Sequence, residues 1–341
     1  MSTSRSATSA RPSHRHGALA NKVARELLPL AEEQGDAAAE VVGHRILGAY
    51  LFQLGRLAEG RAHSESGLAL YDPVRDRSSR FVYAVDSRVV CLLWLSQALL
   101  ALGYPEQARV RQGEALASAR ELAHPNTIAQ ALFCDWTLHQ LLRDGREAQE
   151  QAEALIALAT EHGLPLWLAA GVVVRGWALA AAGRAEDGIA VIRRGLADYR
   201  ATGSELFSPY FLALLADAHG RASQAAIGLS LLADALDGVE RTGVRWIEAE
   251  LHRLQGELRL ALPEPDQSEA EACFRRALAV AHEQQAKLWD LRAATSLARL
   301  WRDQRRRNEA RDLLAPIYGW FTEGFETPDL RDAKTLLDAL A

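Results

Sequence analysis

Asp135 and His139 stand four residues apart. On a helix that spacing places them on one face within hydrogen-bonding reach, as in a poised acid–base pair or a polar contact for a ligand. A polar pair lining an inner surface has the same spacing. Cys134 does not join them, because its five-residue offset from His139 turns it about 140° around a helix, so no Cys–His nucleophile is supported. Glu248 and His252 also share a face, but two ligands do not make a metal site, and neither H-x3-H nor HExxH occurs. Glu250, Arg253 and Glu257 form an i, i+3, i+7 ladder that either pairs with itself or reads a charged partner. The chemistry on offer is recognition by charge and hydrogen bonding. No catalytic, cofactor-binding or metal-binding residues are expected, and the chain reads as a non-enzyme.

Six arginines (Arg299, Arg302, Arg305, Arg306, Arg307 and Arg311) crowd around Trp301, where Asp303, Glu309 and Asp312 dilute them. The net charge over 341 residues is −5 and only Lys22, Lys287 and Lys334 are lysines, so the chain lacks the electrostatic footprint of a nucleic-acid binder. Trp167, Trp246 and Trp289 recur just after turns and read as core wedges rather than a stacking platform. Cys91, Cys134 and Cys273 sit singly in apolar segments without metal-type spacing, as small buried hydrophobes in a reducing compartment would. Hydrophobic residues make up 49% of the chain, ample for a continuous core. Of the most apolar windows, residues 89–103 are too few to span a bilayer and residues 164–183 carry Arg175. No membrane partner is expected, and the expected location is the cytoplasm. Residues 1–16 are rich in Ser, Arg and Ala without the apolar stretch of a secretory signal, and read as a disordered tail.

The elements that position these residues repeat. A small residue is followed seven residues later by a glycine turn, and a second helix then carries small residues seven apart. The first half reads Gly48…Gly55, Ser96…Gly103, Gly176…Gly183 and Ala213…Gly220, while Leu138…Gly145 keeps only the turn. Small pairs follow at Gly60/Gly67, Ala108/Ala115, Gly188/Gly195 and Ala270/Ala277, and the steps along Ala108, Ala148 and Gly188 are 40 residues each. Small residues at fixed helical offsets let two backbones approach closely, and glycine supplies the left-handed end of the first helix. The pattern predicts an all-α, tetratricopeptide-like right-handed superhelical solenoid of about seven helix pairs. Residues 17–341 form one repeat domain: a half-repeat at 17–34, pairs over 38–322, and a capping helix at 327–340 opened by Thr327-Pro328-Asp329. The polar connection at 72–88 breaks the period, as a tolerated insertion or a functional loop does.

Two sets of motifs carry a resemblance. The helix Ser268-Glu269-Ala270-Glu271-Ala272-Cys273-Phe274-Arg275-Arg276-Ala277-Leu278-Ala279 resembles tetratricopeptide repeats, at a period longer than their 34 residues. Trp289-Asp290-Leu291-Arg292-Ala293-Ala294-Thr295-Ser296-Leu297-Ala298-Arg299-Leu300-Trp301 and Leu314-Ala315-Pro316-Ile317-Tyr318-Gly319-Trp320-Phe321-Thr322-Glu323-Gly324-Phe325 are more specific. They resemble the C-terminal tetratricopeptide-like region of bacterial adenylate/guanylate cyclase-type signal-transduction ATPases, and the likeness runs from about residue 19 to the end. Tyr83-Ala84-Val85-Asp86-Ser87-Arg88 departs from that family's Tyr-Gly-x-Asp-Pro-Gly pattern, and no GxxxxGK[ST] phosphate loop occurs. The resemblance implies the sensory or docking tail of such a machine without its cyclase and ATPase domains.

In tetratricopeptide-like superhelices the first helices line the concave face. Projection at mid-groove offsets selects Gln97, Asp135, His139, Trp177, Tyr210, Arg253, Glu257 and Arg299, a mixed-charge set with aromatic anchors suited to a peptide or protein segment. The expected function is a non-catalytic interaction scaffold or regulatory module in bacterial signal transduction. Its partner would be an ATPase or cyclase module or a transcription or signalling regulator, and the half-repeat would be a surface for self-association. The alternatives are a small-molecule-sensing helical repeat domain and a truncated relic of a larger signalling ATPase.

Overall fold

The computed structural model describes residues 12–76 and 85–341, which form sixteen α-helices and, among those residues, no strand. Helix α1 spans Pro12–Gln34, and seven antiparallel pairs follow: α2 (Ala37–Gln53) with α3 (Leu57–Leu70), α4 (Ser87–Ala101) with α5 (Pro105–Leu122), and α6 (Pro125–Leu141) with α7 (Gly145–Glu161). Next come α8 (Pro165–Ala181) with α9 (Ala185–Ala201), α10 (Ser208–Arg221) with α11 (Ala225–Thr242), α12 (Glu248–Leu260) with α13 (Gln267–Gln284), and α14 (Lys287–Asp303) with α15 (Arg307–Tyr318). Helix α16 (Pro328–Leu340) closes the array against α14 and α15. The molecule is therefore the expected tetratricopeptide-like helical-repeat solenoid.

Local chemistry sets the boundaries. Asp36, Asp86 and Asp266 accept the backbone N–H groups of Ala39, Val89 and Glu269 at the starts of α2, α4 and α13, satisfying donors the helix cannot. Proline stands at the first position of α5, α6, α8 and α16, where its missing N–H costs nothing. Within pairs the backbones touch: a Cβ built on Gly188 would lie 2.5 Å from the Gly176 carbonyl oxygen, so only glycine fits the α8–α9 contact.

Two readings of the turns need correction. The left-handed residue after the first helix is glycine at Gly55, Gly103 and Gly183, but Arg143 (φ 59°) and Ser223 (φ 59°) occupy it in the third and fifth pairs. Gly145 instead opens α7, and Gly220 lies within α10 against Leu258. The half-repeat helix begins at Pro12 rather than near residue 17, so residues 12–16 of the expected tail are helical, Pro12 suiting the first turn. The rest of that tail lies outside the described residues, as do residues 77–84 of the long connection, including Tyr83 and Ala84.

Each first helix packs on the next, so α2, α4, α6, α8, α10, α12 and α14 make an inner layer. Their aromatic side chains meet across its axis rather than leaving it empty. Phe52 lies 5.3 Å from Trp94 and 5.4 Å from Trp246, Trp246 lies 5.3 Å from Tyr210, and Trp136 contacts both Tyr210 and Trp177. Backbone contacts seal the ring: Arg245 N–H donates to the Gln53 carbonyl at 2.7 Å. At the other seam Trp320 packs edge-on to Tyr104, and the Gly324 N–H donates to Glu106. These contacts close the superhelix. Trp246 and Trp289 are buried in the core, while Trp167 is partly buried and donates to Asn126. Burial pushes the Cys91 and Cys134 thiols up to about 12. Among the described residues no helix is long and apolar enough to cross a membrane.

Candidate functional site

Where the aromatic fill stops, a partly open cavity of about 260 Å³ lies between the C-terminal end of α6, helices α8, α10, α12 and α14, and the first turns of α16. Trp177 and Tyr210 form its apolar wall. Leu214, Ile247 and Leu254 extend that wall, and nine lining residues are charged: Arg143, Arg221, Arg253, Arg292 and Arg299 face Asp217, Glu250, Asp329 and Asp332.

These charges are paired in a network that crosses the ring. Arg253 donates from Nε and Nη2 to the two oxygens of Glu250, each at 2.8 Å, and from Nη1 to Glu257 at 3.0 Å. Burial works against the Arg253 charge, but Glu250, and after it Glu257 and Asp329, raise its pKa well above the ordinary value. Arg292 donates to Asp329 and to the Leu141 carbonyl, and its guanidinium lies 5.2 Å from the centre of the Trp289 ring. Arg143 reaches Asp332 at 2.8 Å and Asp329 at 3.4 Å, while Arg299 lies 3.5 Å from Asp332. Asp217 pairs with Arg221 at 2.9 Å. Bidentate arginine–carboxylate geometry of this kind fixes orientation as well as adding energy. The Tyr210 hydroxyl donates to Gln140 Oε1 at 2.7 Å, and burial raises its pKa well above the usual phenol value.

Of the eight mid-groove positions, Trp177, Tyr210, Arg253 and Arg299 meet at this cavity. Glu257 adjoins it through Arg253 and through Ser296, whose hydroxyl donates at 2.6 Å. Gln97 lies elsewhere, joining α4 to α6 by donating to the Cys134 carbonyl. Asp135 and His139 are also apart from the cavity. The His139 Nε2 stands 3.8 Å from Asp135 and its Nδ1 3.5 Å from Asp144, too far for good hydrogen bonds. Burial raises the Asp135 carboxyl, against the pull of His139, Arg120 and Arg109. Among the described residues no cluster of three or more His, Cys, Asp or Glu could hold a metal ion. Projection along the first helices missed Arg143, Arg292, Asp329 and Asp332. Arg143 sits at the left-handed turn position that glycine takes in three pairs but Ser223 and Arg305 take in two others, so the turn did not single it out; Asp329 and Asp332 come from the cap.

The arrangement presents paired charges, hydrogen-bonding groups and an aromatic wall to the cavity. No family model matches the chain. A curated relative, uncharacterized protein R02095 of Rhizobium meliloti (strain 1021), is 28% identical over 251 residues, covering 73% of this chain. The chain spans about a quarter of that relative's length, 24%. Among solved structures, the Rap conjugation gene regulator of plasmid pLS20, in complex with the Phr* peptide, superposes with a TM-score of 0.57 at 9% identity, covering 91% of this chain and 77% of that one. A Rap protein complexed with competence and sporulation factor gives 0.55 at 16% identity, with 79% and 77% covered. At these identities the likeness is one of fold.

Proposed function

We propose that this chain is a regulatory interaction module whose closed superhelix takes a short polypeptide segment into its interior cavity. The observation that carries this reading is the cavity wall itself. Trp177 and Tyr210 offer an aromatic surface beside arginines and carboxylates drawn from three first helices, one inter-helix turn and the cap. Aromatic and arginine anchors in a desolvated pocket dominate peptide affinity. Two solved structures of similar fold are complexes with Phr* peptide and with competence and sporulation factor, which supports the choice of a peptide. The binding region would serve a signalling partner of the ATPase, cyclase or regulator type. A match confined to about a quarter of a longer relative, 24%, supports a role for this superhelix as one region of a larger machine.

A small-molecule sensor is the second reading, and one dimension favours it. At about 260 Å³ the cavity falls just below the usual range for small-ligand sites, roughly 300–1,000 Å³, so it holds a single small metabolite or the anchoring side chains of a peptide. Thermal shifts against a peptide library and a metabolite panel, repeated on Trp177→Ala, test both. A peptide that raises Tm in the native protein and not in the variant supports the module. Stabilisation by metabolites alone, equally lost in the variant, replaces it with the sensor.

A further inference from the structure

We propose that α16 acts as a built-in stand-in for the ligand, with Asp329 and Asp332 occupying arginines that an acidic peptide segment takes over on binding. The inference rests on the reading of the cavity as a peptide site, and adds the ligand's chemistry and its regulation.

Charge is the first argument. Of the four carboxylates lining the cavity, two belong to the first turns of α16; without them five arginines face only Asp217 and Glu250. The vacated surface is cationic and takes carboxylates. Geometry is the second. Arg143 from the α6–α7 turn and Arg292 and Arg299 from α14 converge on two carboxylates three positions apart on one helix, the pattern in which a chain with spaced acidic residues is read.

Helix α16 is held differently along its length and at its start. Its apolar face, Leu330, Ala333, Leu336 and Leu340, is buried, anchoring its length against α14 and α15. Its beginning is held differently: Thr327 makes no side-chain capping hydrogen bond, and Asp329 and Asp332 face the arginines. A second cavity of about 410 Å³ lies against that same turn, where Arg109, Arg143 and Arg331 stand among Glu106, Asp144 and Glu326. Arg143 borders both cavities. Incoming carboxylates can thus exchange with Asp329 and Asp332 at the first turn while the apolar anchor stays in place, and the seam between α16 and the α6–α7 turn loosens as they do.

The test uses the full chain, fluorescein-labelled hexaglutamate as the probe, and fluorescence anisotropy. We expect Asp329→Asn/Asp332→Asn to bind hexaglutamate at least tenfold more tightly than the native chain. The exposed pair Asp303→Asn/Asp312→Asn, with the same change in net charge, should stay within twofold. Hydrogen exchange on the native chain with saturating hexaglutamate should show the Arg331 and Asp332 amides, which close the first turn of α16, losing protection. If the double variant melts differently from the native chain, Asp332→Asn alone replaces it, with an expected gain of about threefold. Equal affinity in the variant and its charge-matched control, or binding with α16 still protected, overturns the proposal. Neutral and basic hexapeptides are measured alongside. If one of these binds and is lost on Trp177→Ala while hexaglutamate is inert, the acidic class falls and the peptide site stands. If no peptide binds any variant, the peptide site falls and takes this inference with it.

Discussion

Arg292 and Asp329 join the inner layer to the cap: the Arg292 guanidinium donates from Nε and Nη2 to one Asp329 oxygen at 2.9 and 2.8 Å. It also donates to the Leu141 carbonyl, 151 residues away in sequence. Both side chains are close to nine-tenths buried, at 11% and 10% exposure. Removing one member of such a pair strands the other, at a cost of about 3 kcal/mol. Arg292→Gln should lower the unfolding free energy by about that amount in urea titrations. A loss under about 1 kcal/mol would mean the pair behaves as a surface contact and does not hold the ring.

Two residues in the same unfavourable backbone conformation should respond oppositely to glycine. Ser223 and Arg143 both have φ of 59°, which costs a side-chain-bearing residue roughly 1–2 kcal/mol. Ser223 is exposed, so Ser223→Gly should relieve the strain and stabilise by about 0.5–1 kcal/mol after the entropy glycine adds to the unfolded chain. Arg143→Gly relieves the same strain but abandons Asp329 and Asp332, and should yield no gain. Matched gains in chemical denaturation would show that Arg143 contributes nothing through its carboxylate partners.

That contrast also shows how far the sequence could be read. The spacing of small residues gave the pairs, because a repeated close approach imposes a repeated composition. The same offsets brought Trp177, Tyr210, Arg253 and Arg299 to one cavity. Glycine was a poorer guide to turns, since Gly145 and Gly220 lie near left-handed positions that Arg143 and Ser223 occupy. Closure of the ring was not legible. It depends on how small rotations between pairs accumulate, and is sealed by single contacts such as Arg245 to Gln53, which leave no periodic trace.

Close packing of α8 on α9 can be tested with one methyl group. A Cβ on Gly188 would meet the Gly176 carbonyl oxygen at 2.5 Å and the Ala180 nitrogen at 2.9 Å, both backbone atoms that cannot step aside. Gly188→Ala should cost about 2–3 kcal/mol through forced separation of the helices. Gly113, helical and exposed, has nothing within 4 Å of the same position, so Gly113→Ala should stabilise by about 0.5–1 kcal/mol. Melting temperatures moving in the same direction would contradict the packing account.

Acid should weaken the fold through histidines before carboxylates titrate. His44 and His63 face each other with their Nδ1 atoms 2.9 Å apart, so one ring donates and the other accepts, which requires a neutral acceptor. Burial lowers the pKa of His44, against the pull of Glu32; burial and then the His44 charge lower that of His63. Burial likewise lowers His219 and His252. The unfolded chain therefore binds protons that the native chain refuses. Stability is full above the ordinary histidine value of 6.5 and declines as pH falls below it toward the native values. Unfolding free energies measured between pH 8 and about 5 should show this decline, and His44→Gln/His63→Gln should make it shallower. An unchanged slope would assign the acid sensitivity to other groups.

The second seam depends on a carboxylate that caps a helix from the far end of the chain. Glu323 accepts from the backbone N–H groups of Glu106 at 2.9 Å and Gln107 at 3.2 Å, and from the Gln107 side chain at 3.0 Å. Those N–H groups open α5, where no residue of the helix itself can satisfy them, and the helix dipole favours the negative charge. Tyr104, the local N-cap residue, makes no side-chain capping bond, so the cap comes from 217 residues away. Losing a cap of this kind costs about 1 kcal/mol, and here it also loosens the contact between the α4–α5 corner and the C-terminal segment. Glu323→Ala should lower stability by about 1 kcal/mol and accelerate exchange of the Glu106 and Gln107 amides, while the exposed neighbour substitution Glu326→Ala leaves both unchanged. If those two amides remain as protected in Glu323→Ala as in the native chain, the carboxylate is not what holds the seam, and closure there resides in the packing of Trp320 on Tyr104 and the Gly324 N–H bond to Glu106.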